Sequence, residues 1–303
     1  FYFLVKAPFL VDLKKPELKI PHTVNFYIKV EPGVILGIWH TVPSCRGEDA
    51  KGKGRSWYEA ALCDGNPIIV YLHGSAQHRS VPLLGFFFPL KQSKRPFYSC
   101  RGMKGRAVFN SVSILPHICF HLLEVKGFGD STGTPTEDGL TADAVYVYEW
   151  TKARSGTTPV CLWGHSLGTG SFFFIIFQGF PADAIILEAP FTNIWVASIN
   201  YPLLKVSLIH LYKMSKCRLR NLNVFLELNT FLPLVPSVKF LSSPLLIIHG
   251  EDDKTVPLEF GKKLYEIAHN AYRNKERVKM VIFPPGFGHN SLCKSSALLH
   301  TVR

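Results

Sequence analysis

The apolar positions of this chain fall into short runs separated by polar turns, and the runs have the length of strands. Two of them, Val24 to Val30 and Val34 to Val42, flank Pro32-Gly33 and predict a hairpin at the antiparallel edge of a sheet. The polar stretch from Ser44 to Ser56 reads as a loop. Pro67 through Gly74 (PIIVYLHG) is a short apolar run closed by glycine, the pattern of a strand buried on both faces. Further strands are predicted at Val160 to Trp163, Ala184 to Leu187, Leu245 to His249 and Val278 to Phe283. Helical spacing appears between them, over Glu137 to Ala153 with Gly156 closing the helix, and over Leu258 to Tyr272 through Phe260, Leu264, Ile267 and Ala271. Alternating strands and helices predict an α/β fold: a mostly parallel central sheet, helices on both faces, and an N-terminal antiparallel edge. No internal repeat is present, and residues 1–303 read as one domain. The segments Arg79 to Cys119 and Ser207 to Pro236 follow neither period, and a structureless insertion of that length inside a compact domain either marks a lid or counts against the assignment of elements there.

Composition narrows the function classes only modestly. With 47% hydrophobic residues the chain can bury a large core. Its formal charge of +12 suits an anionic partner, whether nucleic acid, an acidic membrane surface or an anionic lipid. The basic residues are spread over many segments without a nucleic-acid motif around them, so solvated faces are favoured and no nucleic-acid partner is expected. The 7 cysteines form no C-x-x-C pair and have no histidine at zinc spacing, which argues against metal and redox chemistry. Their odd number leaves at least one thiol outside any intrachain pair and resembles a reducing compartment more than a disulfide scaffold. No apolar run reaches the roughly 18 to 20 residues of a spanning helix. The chain opens at Phe1 rather than methionine, which leaves room for a signal peptide or anchor upstream.

The chemistry concentrates at three strand ends. Val160 to Trp163 runs directly into Gly164-His165-Ser166-Leu167-Gly168, a G-x-S-x-G pattern on a strand-to-helix turn. Such an elbow holds its serine on strained backbone, and glycines are needed at the flanks because larger side chains would meet neighbouring backbone. A serine hydroxyl is a weak nucleophile and requires a base, itself oriented by a carboxylate. Later in the chain, Leu245 to His249 leads into Glu251-Asp252-Asp253, and Val278 to Phe283 leads into Gly286-Phe287-Gly288-His289. Taken singly, an Asp pair after a strand caps a helix and a histidine beside glycine is a surface loop residue. In the order serine, acid, histidine, each at a strand end, they predict Ser166 as nucleophile and His289 as base, with Asp253 or Asp252 as the acid. Oxyanion-stabilising N–H groups are expected from Leu167 and from Ser75, in the loop after the Pro67 to Gly74 run. Gly127-Phe128-Gly129-Asp130-Ser131-Thr132-Gly133 has dinucleotide-like glycine spacing, but Pro135 follows and no acidic residue closes a second strand. A turn packed beside the site is the better reading.

Together these segments resemble the abhydrolase-domain monoacylglycerol and lysophosphatidylserine lipases. The resemblance is carried by Gly37 to Pro43, Leu72-His73-Gly74, Gly127 to Gly133, Glu149 to Ser155, Trp163 to Gly170, Glu188 to Asn193, and Phe240 through Asn290, about two-thirds of the chain. It implies an α/β-hydrolase fold, no cofactor, and cleavage of a monoacylglycerol or lysophospholipid ester through an acyl-enzyme at the endoplasmic reticulum membrane. It also favours Asp253 over Asp252, through the spacing to Val256-Pro257. Two departures from the family pattern stand out: Glu124-Val125-Lys126 replaces an Asp-Tyr-Arg-like turn, and the helix after the elbow, through Ser171 to Phe177, reaches Gly179 and Pro181 early. Family variation, a lipid-contacting cap or translated non-coding sequence would each produce such stretches. The competing functional class is a non-catalytic lipid-binding protein or inactive hydrolase on the same fold. A soluble thioesterase or peptidase would share the chemistry and differ in its pocket.

Overall fold

The computed structural model describes residues 12–18, 20–74, 119–123, 130–133, 137–177, 180–191 and 243–302. Within these residues one 8-stranded sheet is built from β1 (Thr23–Glu31), β2 (Val34–Thr41), β3 (Ile68–Leu72), β4 (Cys119–Leu123), β5 (Val160–His165), β6 (Ala184–Glu188), β7 (Leu245–Gly250) and β8 (Val278–Phe283). Their spatial order is β1-β2-β4-β3-β5-β6-β7-β8. The hairpin predicted around Pro32-Gly33 forms the antiparallel edge, and β2 pairs antiparallel with β4. From β4 to β8 every pairing is parallel.

Burial on both faces explains the unbroken apolar runs. In β3, Ile68, Val70 and Leu72 enter one core cluster while Ile69 and Tyr71 enter the other. The first cluster is covered by α3 (Glu137–Ser155), α4 (Leu167–Phe177) and α5 (Leu258–Ala271) through Ala144, Val147, Tyr148, Phe172, Leu264 and Ala268. On the opposite face Leu13, Ile20, Leu292 and Leu298 cover Trp39, Trp163 and Phe283, with Leu298 contributed by α6 (Ser296–Val302). The buried stripe of α3 runs through Thr141, Ala144, Val147, Tyr148, Thr151 and Ser155, a helical period carried partly by small polar residues. In α5 the fully buried positions are Leu258, Gly261, Leu264 and Ala268, so Phe260, Ile267 and Ala271 flank the buried stripe more than they form it.

Two sequence expectations are corrected. The stretch from Ser44 to Ser56 is not a plain loop: it holds a 3-10 turn (Ser44–Arg46), α1 (Gly47–Ala50) and the start of α2 (Arg55–Ala60). Local ion pairs between Arg46 and Asp49 (2.9 Å) and between Lys51 and Glu48 (2.6 Å) hold these single turns, which are too short to show a hydrophobic period. Cys119, assigned to an irregular segment, is the first residue of β4, which becomes a strand because β2 and β3 offer it hydrogen-bonding partners on both sides. The remainder of that segment and Ser207 to Pro236 lie outside the described residues, as do Glu124 to Gly129. Of the glycine-rich turn, Asp130 accepts from Tyr27 Oη at 2.6 Å, Ser131 Oγ from Gly37 N at 2.9 Å, and Thr132 Oγ1 from Ile35 N at 2.9 Å. These bonds tie it to the β1–β2 hairpin.

Candidate active site

At the carboxyl end of β5, Ser166 has φ 51°, a left-handed conformation that side chains other than glycine rarely adopt. The turn is held on both sides. Ser166 N donates to Glu188 O of the adjacent β6 at 2.9 Å, and Thr169 donates to Ser166 O through its backbone N at 2.9 Å and its hydroxyl at 2.6 Å. The flanking glycines are required by close approach: a Cβ on Gly164 would lie 2.7 Å from Gly168 O, and one on Gly168 would strike the carbonyl of Leu72 in β3. Leu167 follows as the first residue of α4, where backbone N–H groups have no intrahelical acceptor.

The structure brings the three sequence-predicted side chains together from β5, β7 and β8. His289 Nε2 lies 3.0 Å from Ser166 Oγ, and His289 Nδ1 lies 2.7 Å from Asp253 Oδ2. All three residues are buried. A carboxylate only accepts, so the proton sits on Nδ1 and the Nε2 lone pair faces the serine hydroxyl. Burial works against the Asp253 charge, but the nearby His249 N–H, hydrogen bonds from His289 and Val256 N, and the His289 charge hold its carboxyl well below the usual carboxylate range. Its other oxygen accepts from Thr255 N and Val256 N at 2.8 Å each.

Asp252, the other candidate acid, takes a different part. Its oxygens accept from Gly288 N and Gly286 N, both at 2.8 Å, in the loop that carries His289. These two bonds lower the Asp252 pKa below its ordinary value. His165 is buried and its Nε2 donates to His289 O at 3.0 Å. Ser75 lies outside the described residues. The loop that leads to it does reach the serine, since a Cβ on Gly74 would stand 3.2 Å from Ser166 Cβ.

Two neighbours of the site were not assigned a role from sequence. His249 is fully buried, donates from Nε2 to Val256 O at 2.8 Å, and faces Asp253 Oδ2 at 3.5 Å. The shorter contact is the hydrogen bond; the longer one adds electrostatic support to the carboxylate. Gly261 makes room for this ring, because a Cβ there would collide with His249 Nδ1. Glu188, at the end of β6, accepts from Trp163 Nε1 at 3.0 Å, and its carboxyl is pushed up to about 7 by burial and by nearby Asp253, against the lowering effect of the indole bond. The histidine four residues before the acid was a readable signal in β7; nothing local marks Glu188 as protonatable.

No family model matches the chain. It is 64% identical over 310 aligned positions to human Protein ABHD12B, the alignment taking in 100% of this chain and 78% of that protein. It is 36% identical over 324 positions to lysophosphatidylserine lipase ABHD12 of Xenopus tropicalis, covering 100% of this chain and 74% of that protein. Among solved structures, the Pyrococcus furiosus esterase Pf2001 superposes with a TM-score of 0.62 at 15% identity, covering 99% of this chain and 94% of the esterase. At that identity the likeness concerns the fold alone, the α/β-hydrolase fold. The full-length identity to the two ABHD proteins reaches further, and the chain belongs to the ABHD12/ABHD12B family of α/β-hydrolases.

Proposed function

We propose that this chain is a serine hydrolase that cleaves the carboxylic ester of a lysophospholipid or monoacylglycerol through an acyl-enzyme. The observation that carries the reading is the hydrogen-bonded line from Ser166 through His289 to Asp253, at 3.0 and 2.7 Å, on a positive-φ turn at the end of a central strand. In this reading Ser166 Oγ attacks the ester carbonyl carbon while its proton passes to His289 Nε2. Asp253 stabilises the imidazolium that results. The oxyanion is met by Leu167 N–H and by an N–H of the loop after β3, assigned to Ser75. The intermediate collapses, the bond to the glycerol oxygen breaks, and His289 returns the proton to that oxygen. Water then repeats the sequence on the acyl-enzyme, releasing the fatty acid and restoring Ser166.

The substrate class follows from the relatives named lysophosphatidylserine lipase, and the charge of +12 favours an anionic headgroup or a surface carrying one. No helix among the described residues is long and apolar enough to cross a membrane. Work at a membrane surface, in the endoplasmic reticulum as the resemblance implies, belongs to this proposal.

Covalent labelling by a fluorophosphonate probe tests it. Labelling of the native protein should vanish in both Ser166→Ala and His289→Ala, and the native protein should release fatty acid from lysophosphatidylserine or monoacylglycerol in vesicles. A folded protein that neither labels nor hydrolyses would leave a non-catalytic lipid-binding protein as the reading. Turnover of short soluble esters or thioesters alone would point to a soluble esterase.

A further inference from the structure

We infer that His165 and Asp252 act as a paired clamp on the loop that carries His289, and that they are positioning residues for the base. The inference rests on the hydrolase reading above. The loop after β8 contains Gly286 with φ 108° and Gly288 with φ 50°, so its backbone has little intrinsic preference for one path. Among the described residues, three hydrogen bonds to the loop's backbone help to define that path. Asp252 accepts from Gly286 N and Gly288 N at 2.8 Å each, and His165 donates to His289 O at 3.0 Å. A carboxylate thus accepts from the loop's N–H groups and an imidazole N–H donates to its carbonyl.

His165 precedes the nucleophile directly, so its bond ties the serine turn to the base loop without an intermediate residue. Its ring also lies against the His289 ring, with centroids 5.0 Å apart and planes 45° apart. On its other side Nδ1 faces Gly74, where a Cβ would stand at 2.9 Å. One ring at the end of β5 therefore touches the loops after β3 and β8. Donation to a carbonyl requires the proton on Nε2, which leaves Nδ1 buried and without a partner among the described residues. An apolar side chain of similar shape would remove that unsatisfied nitrogen but would also lose the donor to His289 O. Burial and the charge of His289 push His165 down to about 3, so at neutral pH it stays uncharged and does not compete for the proton from Ser166.

The test compares His165→Phe, His165→Gln and Asp252→Asn with the native chain, using rates per active site titrated with a fluorophosphonate. His165→Phe keeps ring volume and removes the donor; His165→Gln restores a donor at similar reach. Asp252→Asn, at a partly exposed position, keeps one acceptor and serves if the buried variants do not fold. With a short soluble ester, His165→Phe should lose roughly 10- to 100-fold in kcat per titrated site, with KM changed by less than about twofold. His165→Gln should recover most of the loss, and Asp252→Asn should fall in the same direction. An activity-independent readout is the downfield NMR resonance of the proton between His289 Nδ1 and Asp253. It should be sharp in the native chain and in His165→Gln, and broadened by exchange in His165→Phe and Asp252→Asn. Native-like per-site kcat and resonance in His165→Phe and Asp252→Asn would overturn the clamp, as would absence of the resonance from the native chain. A native chain that shows the resonance but neither labels nor turns over, with the resonance lost in the variants, would overturn the hydrolase reading and leave the clamp standing.

Discussion

Asp253 remains charged in a buried place because both oxygens are met: one accepts from His289 with His249 close beside it, and the other accepts from two backbone N–H groups. Asp253→Asn retains the shape but places an amide where only an acceptor suits His289 Nδ1–H. In the hydrolase reading the imidazole then takes the wrong tautomer, and kcat should fall by about 10³- to 10⁴-fold with the fold intact, as steady-state kinetics and circular dichroism would show together. Glu188 behaves in the opposite way. Its folded pKa is raised from 4.5 to about 7, so its contribution to stability is complete below pH 4.5 and is lost as pH rises through 7. Glu188→Gln keeps an acceptor for Trp163 Nε1 without acquiring charge. Relative to the native chain it should gain stability between pH 5 and pH 8, on the order of a few kcal/mol, read from urea unfolding at both pH values. A difference that does not change with pH would refute the assignment.

The elements that carry the site are positioned by backbone contact more than by side chains. β3 lies between β4 and β5, so its Leu72 carbonyl cannot retreat, and the first turn of α4 passes directly over it. Gly168→Ala should therefore displace α4 and lower the melting temperature, with a cost of roughly 1–3 kcal/mol, and should reduce probe labelling. Gly170→Ala, two residues along the same helix, provides the contrast. Its nearest neighbour would be Phe191 Cζ at 3.9 Å, and the gain in helix propensity of about 1 kcal/mol should raise the melting temperature or leave it unchanged. Equal losses in both variants would mean that helix disruption, and not contact with β3, sets the tolerance at Gly168.

For the whole molecule, the charge of +12 is the property that no single residue explains. Ion pairs such as Lys152–Asp183 (3.0 Å) and Arg154–Glu59 (3.3 Å) neutralise some cations locally, but cations outnumber anions by 34 to 22. Attraction to an anionic surface decays over a Debye length of about 8 Å at physiological salt. If the protein works at such a surface, sedimentation with phosphatidylserine vesicles should fall several-fold between about 50 and 500 mM salt, while neutral vesicles should bind weakly throughout. Salt-independent binding to both would assign the contact to apolar insertion.

Much of this architecture is local in origin and was therefore legible in the sequence. Strands β3, β5, β6 and β7 are buried on both faces, which demands unbroken apolar runs, and the hairpin needed only Pro32-Gly33 between two β-type segments. The serine turn was legible because its glycines answer a steric requirement within five residues. Other features depend on groups distant along the chain, and only the tertiary structure decided them. β4 is a strand because it inserts between β2 and β3, although its own five residues carry a histidine and little period. Asp252 and Asp253 are adjacent and chemically identical, and successive side chains on the loop simply point apart, one to the His289 ring and the other to the backbone beneath it. His165 meets a carbonyl 124 residues away, and Glu188 is protonatable only because the sheet buries it beside Asp253. Local sequence determines what a segment can form; which charges and donors face each other is set by the packing of segments that carry no information about one another.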